Sequence, residues 1–445
     1  MGQSPEDLFK KATALIQAGA GPQAIDLFRK PIEAGPANPV LFFYGGVSAT
    51  MTGDKELAIA WLEKAADGLP DQAEVLNTCG FALFQAGRYE AAIGVLEKAL
   101  LTDPKHAMAW LNMGMSCLGL AEHQKAREAL LKSIDLDPNN PQSHACLAQT
   151  YLSMGMVDEF RASLEKALSI NPTLTLARRL ADQPYFGSKG GLQGAPARHV
   201  FMSAAVGFFK GQGRALDILE VGSYMGSSLL TWAHAVERIL GTGAKITCID
   251  PWELVSEDAY YEDMTTYLQS GIAHRIFLHN AGFVPASIKV EPVKAKSSQA
   301  LEGFESGSFD IVYIDGSHAY DDAFYDIHQA KKLVRNNGLI CGDDLELQAG
   351  ECDAAVAQEN RNGDYMTEPR TGRQFHPGVT LAVGGEMGPV SSFDGFWIMQ
   401  KTEDGFIPAD LSDKDAILPA HWGGEHRSAL QARFANSGEI GRLIV

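Results

Sequence analysis

A period of 34 residues runs through the first 180 positions and fixes what that part of the chain can become. In registers that start at Pro5, Pro39, Ala73, Ala107 and Pro141, one position holds Pro36, Pro70, Pro104, Pro138 and Pro172. A second holds Ala12, Gly46, Gly80, Gly114 and Ala148, always small. A third holds Ala24, Ala58, Ala92 and Ala126 before Phe160 breaks the series. A fourth, midway through each unit, holds Gly19, Gly53, Gly87, Ala121 and Gly155. Small residues let paired helices approach, glycine turns the chain between them, and proline ends the second helix before the next unit begins.

The pattern resembles the tetratricopeptide repeat, in which each unit is a helix–turn–helix pair. It covers nearly all of residues 5–174, and Lys11, Pro31 and Phe160 are departures of the kind that capping repeats show. The resemblance implies an all-α repeat domain over residues 1–180, about five repeats long, with a peptide or protein partner on its concave face. The plainer alternative is an array that dimerises the chain or props up the next domain. No basic carboxylate clamp stands out in the first helices. Residues 181–197 carry Pro184, Gly187, Gly190, Gly191, Gly194 and Pro196 and read as a linker. Arg198 to Lys210 then reads as an apolar helix expected to cover a sheet edge.

The chain has 445 residues, beyond the ~250–300 at which one core stops growing, so two or more domains are expected. A net charge of −18 argues against binding a phosphate backbone, so no nucleic-acid partner is expected. No run approaches the ~18 apolar residues of a membrane span. The polar, acidic start is wrong for a secretory signal, and Glu6 stands where a myristoylation signal wants Ser or Thr. The expected compartment is the cytoplasm. Cys79, Cys117, Cys146, Cys248 and Cys341 fall in apolar runs with no C-x-x-C pair, and read as small buried hydrophobes.

From residue 215 strands and helices alternate. Strands are expected at 215–221, 245–249, 288–295, 309–314 and 338–341, with helices at 227–240, 259–281, 298–303 and 321–334. That succession calls for a parallel sheet with helices on both faces. Val379–Val383 and Phe393–Gln400 read as two further strands, which together suggest a seven-stranded sheet with an antiparallel edge. The run L-E-V-G-S-Y-M-G-S-S, residues 219–228, joins the first strand to a helix start through a glycine turn. Gly222 permits the sharp turn and Gly226 lets a ligand approach the helix N-terminus. Asp250 ends the next strand, where an acid accepts hydrogen bonds from a ribose diol.

These motifs, with T-C-I-D-P-W, F-D-I-V-Y-I-D-G-S-H-A-Y and G-L-I-C-G-D-D in that order, make residues 198–402 resemble a class I S-adenosylmethionine-dependent methyltransferase, of Rossmann-like α/β fold. The nearest branch in pattern is that of bacterial macrocin- and novobiocin-type sugar O-methyltransferases. One departure is Tyr224, which stands where the middle glycine of the turn often sits. The resemblance implies that Glu220, Gly222, Ser223 and Gly226 line the methionine half of the cofactor. It also implies that Asp250 holds the ribose, that Trp252 stacks on or borders the adenine, and that Ser297 contacts the adenine edge. Trp252 reads equally well as a core aromatic at a helix start. Residues 403–445 form a C-terminal extension.

Asp315 ends the fourth strand, and Asp343 and Asp344 end the fifth. In a parallel sheet these ends lie side by side, and three unpaired carboxylates resist ionising together. A divalent cation such as Mg²⁺ removes the conflict through hard oxygen ligands, and the resemblance implies the same metal site. A metal there would lower the pKa of an acceptor hydroxyl, from a small molecule or sugar. His318 is the expected base, because its pKa lies nearest working pH, and Asp315 its neighbour in catalysis. The alternative for His318 is a structural imidazole that orients the loop. Residues 346–377 read as a lid, and His376, His421 and His426 as histidines able to close over an acceptor. Competing readings are a repeat-based adaptor with a vestigial enzyme domain, a protein methyltransferase fed by the repeats, and, more distantly, a nicotinamide-dependent oxidoreductase.

Overall fold

The computed structural model describes residues 4–35, 38–186, 195–254, 262–422, 424–435 and 437–444. Pro36, the linker glycines between 187 and 194, and residues 255–261, which include the first turn of the helix expected over 259–281, lie outside the described residues. The chain divides into two units, Met1–Asp182 and Gln183–Val445.

In the first unit the sequence period becomes a helix period. The first helices of the pairs start at Pro5, Pro39, Ala73, Ala107 and Pro141, and the second helices at Gly21, Lys55, Tyr89, His123 and Val157. Between them Gly19, Gly53, Gly87 and Gly155 take left-handed φ of 78°, 82°, 76° and 65°. Ala121 takes 58° at the same position, a conformation its Cβ disfavours. The small position is enforced by packing: a Cβ on Gly46, Gly80 or Gly114 would meet the leucine Cγ of the paired helix at 2.6 Å. Ala24, Ala58, Ala92, Ala126 and Phe160 are all buried. An eleventh helix, Thr175–Asp182, follows the five pairs.

The second unit is built on a sheet whose strands β1 (Leu216–Val221), β2 (Ala244–Asp250), β3 (Ile288–Lys294), β4 (Phe309–Ile314) and β5 (Val334–Leu345) are parallel to their neighbours. The order across the sheet is Gly405–Pro408, Gly395–Thr402, β5, β4, β1, β2, β3, and the first two are antiparallel. The expected seven-stranded α/β sheet with an antiparallel edge is therefore present, although Ser391–Phe393 adds a short flanking strand. The chain direction across the sheet reverses between β1 and β4, which opens a crevice beyond their C-terminal ends.

Two expectations need correction. Val379–Val383 is not a strand: it lies in helix Pro377–Met387, where Pro377 occupies the first turn and the run continues to Met387. Four apolar residues around Thr380 fit either period over so short a run, and here the proline start and the length favour helix. The helix expected over 259–281 is broken at Gly271, whose φ is 68°, into Glu262–Gln269 and Ile272–Asn280. The sheet and its covering helices also exceed the span 198–402. Helix Pro196–Val206 starts earlier, and Gly405–Pro408 supplies an edge strand.

Candidate functional site

The glycine turn is held by both neighbouring strands. The Gly222 amide donates to Ile249 O at 2.9 Å, and the Asp315 amide donates to Val221 O at 2.8 Å. Gly222 has φ 88°, and a Cβ there would lie 1.7 Å from the Asp315 carbonyl, so no other residue fits. Gly226, φ 85°, precedes helix Ser227–Ala235. Tyr224 takes φ 40°, so the chain adopts without glycine the left-handed geometry that glycine favours. Two hydrogen bonds hold it: its amide donates to Asp250 Oδ2 at 2.9 Å, and its carbonyl accepts from Trp252 Nε1 at 2.6 Å.

Asp250 is thus aimed at the turn, with its other oxygen accepting from the Trp252 amide at 2.5 Å. Burial raises its pKa against the pull of these amides. The remaining expected cofactor residues are placed less simply. Glu220 lies beneath the turn, fully buried, and accepts from the Ser228 hydroxyl and the Cys248 thiol. Burial pushes its pKa to about 8. Ser223 is buried at the turn itself. The Ser297 hydroxyl, opening helix Ser297–Ala300, is hydrogen-bonded to Asp326, whose pKa burial pushes to about 7. Trp252 departs from the stacking expectation: its ring is fully buried, stacked on His274 at 4.4 Å and tilted against Phe277 at 4.8 Å. No face is left for a base, and the indole acts as packing that braces the turn.

Asp315, Asp343 and Asp344 do converge, each offering an oxygen within 4.8 Å of the others. Ile314 pairs with Gly342, so Asp315 and Asp343 follow in register, and a bulge between Gly342 and Leu345 re-aims the acid pair. Asp344 takes φ 63° to do so. A cation already sits among them. Arg198, from the first turn of helix Pro196–Val206, contacts Asp343 and lies 3.8 Å from Asp344 Oδ1. It was legible only as a lone charge opening a helix otherwise buried. Burial raises the Asp315 pKa; Arg198 opposes this and Asp344 adds to it. The Tyr313 hydroxyl donates to Asp315 Oδ2 at 3.0 Å.

His318 also needs correction. Its Nε2 is 2.9 Å from Asp344 Oδ2, and its Nδ1 is bonded to Asp364. Burial lowers its pKa, but the two carboxylates outweigh that and raise it well above the usual value. An imidazole with a carboxylate on each ring nitrogen has no nitrogen free to take an acceptor's proton. It instead pulls Asp344 well below the usual carboxylate range, against the opposing effect of burial. Asp364 enters through local structure that carries no sequence signal, and beside it stands His376, one of the histidines read as able to close over an acceptor. The strands Met366–Thr367 and Gln374–Phe375 pair as a hairpin, so the residues flanking its base meet. His421 lies apart, with Nε2 3.0 Å from the Ser227 hydroxyl and a pKa that burial lowers to about 3. His426 is exposed and packs against Trp422.

Fold and site together define a methyltransferase-type α/β domain that follows an array of helical repeats. Residues 219–345 match the family model "Methyltransferase domain", and 80–141 and 129–159 match models for the tetratricopeptide repeat. Among similar curated proteins is the "Probable caffeoyl-CoA O-methyltransferase 1" of Dictyostelium discoideum, 26% identical over 170 residues, which are 37% of this chain and 63% of that protein. The "O-methyltransferase ankF" of Aspergillus thermomutatus is 26% identical over 137 residues, 31% of this chain and 48% of that protein. The chain thus spans less than two thirds of the length of these relatives. Among solved structures, MamA covers 36% of this chain and 94% of its own at 26% identity, with a TM-score of 0.34. A thermophilic TPR protein of Thermus thermophilus covers 40% and 97% at 25% identity, with a TM-score of 0.34.

Proposed function

We propose that this protein is an S-adenosylmethionine-dependent O-methyltransferase acting on a hydroxyl of a small molecule, sugars included, and that its repeats recruit a protein partner. The observation that carries the reading is a juxtaposition. A glycine turn braced by Asp250 and a trio of aspartates stand at the ends of adjacent strands β2, β1, β4 and β5. The left-handed Gly222 and the buried acid behind it leave backbone, not side chain, facing a ligand at the turn. S-adenosylmethionine bound there supplies an electrophilic methyl group.

The acceptor oxygen forms the new C–O bond as the C–S bond breaks, and the hydroxyl proton must leave. Asp315 is the group we assign to take it, since its raised pKa makes it a better base than an ordinary aspartate. His318, held between Asp344 and Asp364, keeps Asp344 in place. Asp343 and Asp344, beside Asp315, offer oxygen ligands that would suit a divalent ion such as Mg²⁺, which would acidify the hydroxyl. Arg198 supplies part of the same neutralisation from within the chain. Six free, buried cysteines suit a reducing compartment, which we take to be the cytoplasm.

The test is a methyl-donor assay with sugar, phenol and peptide acceptors, with and without EDTA. Turnover on a hydroxyl acceptor should fall by about 10²–10⁴ in Asp315→Asn. No turnover on any hydroxyl acceptor, or an unaffected Asp315→Asn enzyme, would contradict the reading. Turnover on the peptide alone would move the substrate to a protein.

A further inference from the structure

Beside the three aspartates lies a second donor set of different chemistry. The rings of His318 and His376 are 4.4 Å apart, centroid to centroid, at an interplanar angle of 59°. Asp364 serves both: its Oδ1 is bonded to His318 Nδ1 and lies 3.9 Å from His376 Nε2. One donor atom from each of the three lies within 4.8 Å of the others. The far nitrogens are equally engaged. His318 Nε2 is 2.9 Å from Asp344 Oδ2, and His376 Nδ1 is 3.1 Å from Glu346 Oε2. A carboxylate on the far nitrogen of each ring fixes its tautomer and turns the near nitrogen toward Asp364, which is how metal-binding imidazoles are held. Charge balance alone would not require both rings to present their second nitrogen to one oxygen.

We propose that His318, His376 and Asp364 bind a divalent transition ion, with Asp344 and Glu346 orienting the two imidazoles. Two imidazole nitrogens and one carboxylate oxygen suit ions of borderline softness such as Zn²⁺ or Co²⁺, whereas Mg²⁺ prefers oxygen alone. Three protein ligands leave a position open for water or a substrate oxygen. The proton shared by His318 Nδ1 and Asp364 passes to solvent as the ion enters. Asp344 belongs to both sets, since Oδ2 faces His318 while Oδ1 faces Arg198. The site stands on its own geometry and does not depend on methyl transfer.

The test uses the full chain, stripped with a chelator and titrated with Co²⁺ in the absence of methyl donor and acceptor. Wild type should develop the visible absorption of cobalt bound to nitrogen in a low-coordinate site, displaced by Zn²⁺ and not by excess Mg²⁺. His376→Ala and Asp364→Ala should lose the band or bind at least about 100-fold more weakly. Glu346→Gln should keep the band at about 10–100-fold lower affinity. His328→Gln should keep it, because His328 pairs with Glu386 and belongs to neither set. Circular dichroism checks that each variant is folded, and His376→Gln is the milder change should His376→Ala unfold. No band in wild type, a band unchanged in His376→Ala or His376→Gln, or a band abolished by His328→Gln would overturn the proposal. Binding of S-adenosylmethionine is read separately by calorimetry, so failure here is distinct from failure of the methyltransferase reading.

Discussion

The two units of this chain show opposite relations between sequence and geometry. In the array every constraint is local and repeated. A helix begins every 34 residues, a left-handed residue recurs at each turn, and a small residue faces a leucine in each of the three central pairs. In the second unit the decisive contacts join distant segments. Arg198 precedes the first strand, Asp344 ends the fifth, and Asp364 and His376 flank a hairpin beyond it. Repetition makes the first unit tolerant at its ends and uniform in its middle. Convergence makes the second depend on single residues.

The largest effect expected from this contrast is at Arg198. Replacing it by Met leaves Asp343 and Asp344 buried without its charge, and removing one partner of a buried pair costs about 3–5 kcal/mol. Urea unfolding should show that loss in Arg198→Met, and added Mg²⁺ should recover part of it. Gly222→Ala forces a Cβ against backbone at a left-handed φ and should cost roughly 3 kcal/mol. The same change at Gly80 meets a leucine side chain that can shift, and should cost roughly 2 kcal/mol, measured in the same way.

A pH profile distinguishes the units through Glu220. Its pKa is raised from 4.5 to about 8 in the folded chain, first by burial. Through that window the folded state keeps a proton that the unfolded chain has released, so stability falls as pH rises. Glu220→Gln should flatten that fall, while unfolding of the array should be unaffected. The smallest effect has the opposite sign. Ala121→Gly relieves a left-handed alanine and should stabilise the array by about 1 kcal/mol.

What could be read in advance follows the same division. The repeat registers, the five parallel strands, Gly222 and the three acids were legible because each sits in a short motif at a strand end or a fixed period. The role of His318 was not, because it is set by Asp364, which arrives through a hairpin with no pattern of its own. Arg198 was hidden in a helix that reads as apolar cover. Val379–Val383 was ambiguous between periods, and it took the proline before it and the run on to Met387 to favour a helix. Trp252 could be seen to matter at the turn, but whether its ring faced a ligand or the core depended on His274 and Phe277 from another helix.

If the protein transfers methyl groups, the braced turn between β1 and β2 holds the methyl donor. Calorimetric titration of S-adenosylmethionine into the full chain tests it most directly. One saturable site is expected, with an affinity that falls by about 10–100-fold in Asp250→Asn, where a charged hydrogen-bond acceptor is lost. Absence of binding to the wild-type chain, or equal binding to Asp250→Asn, would contradict it.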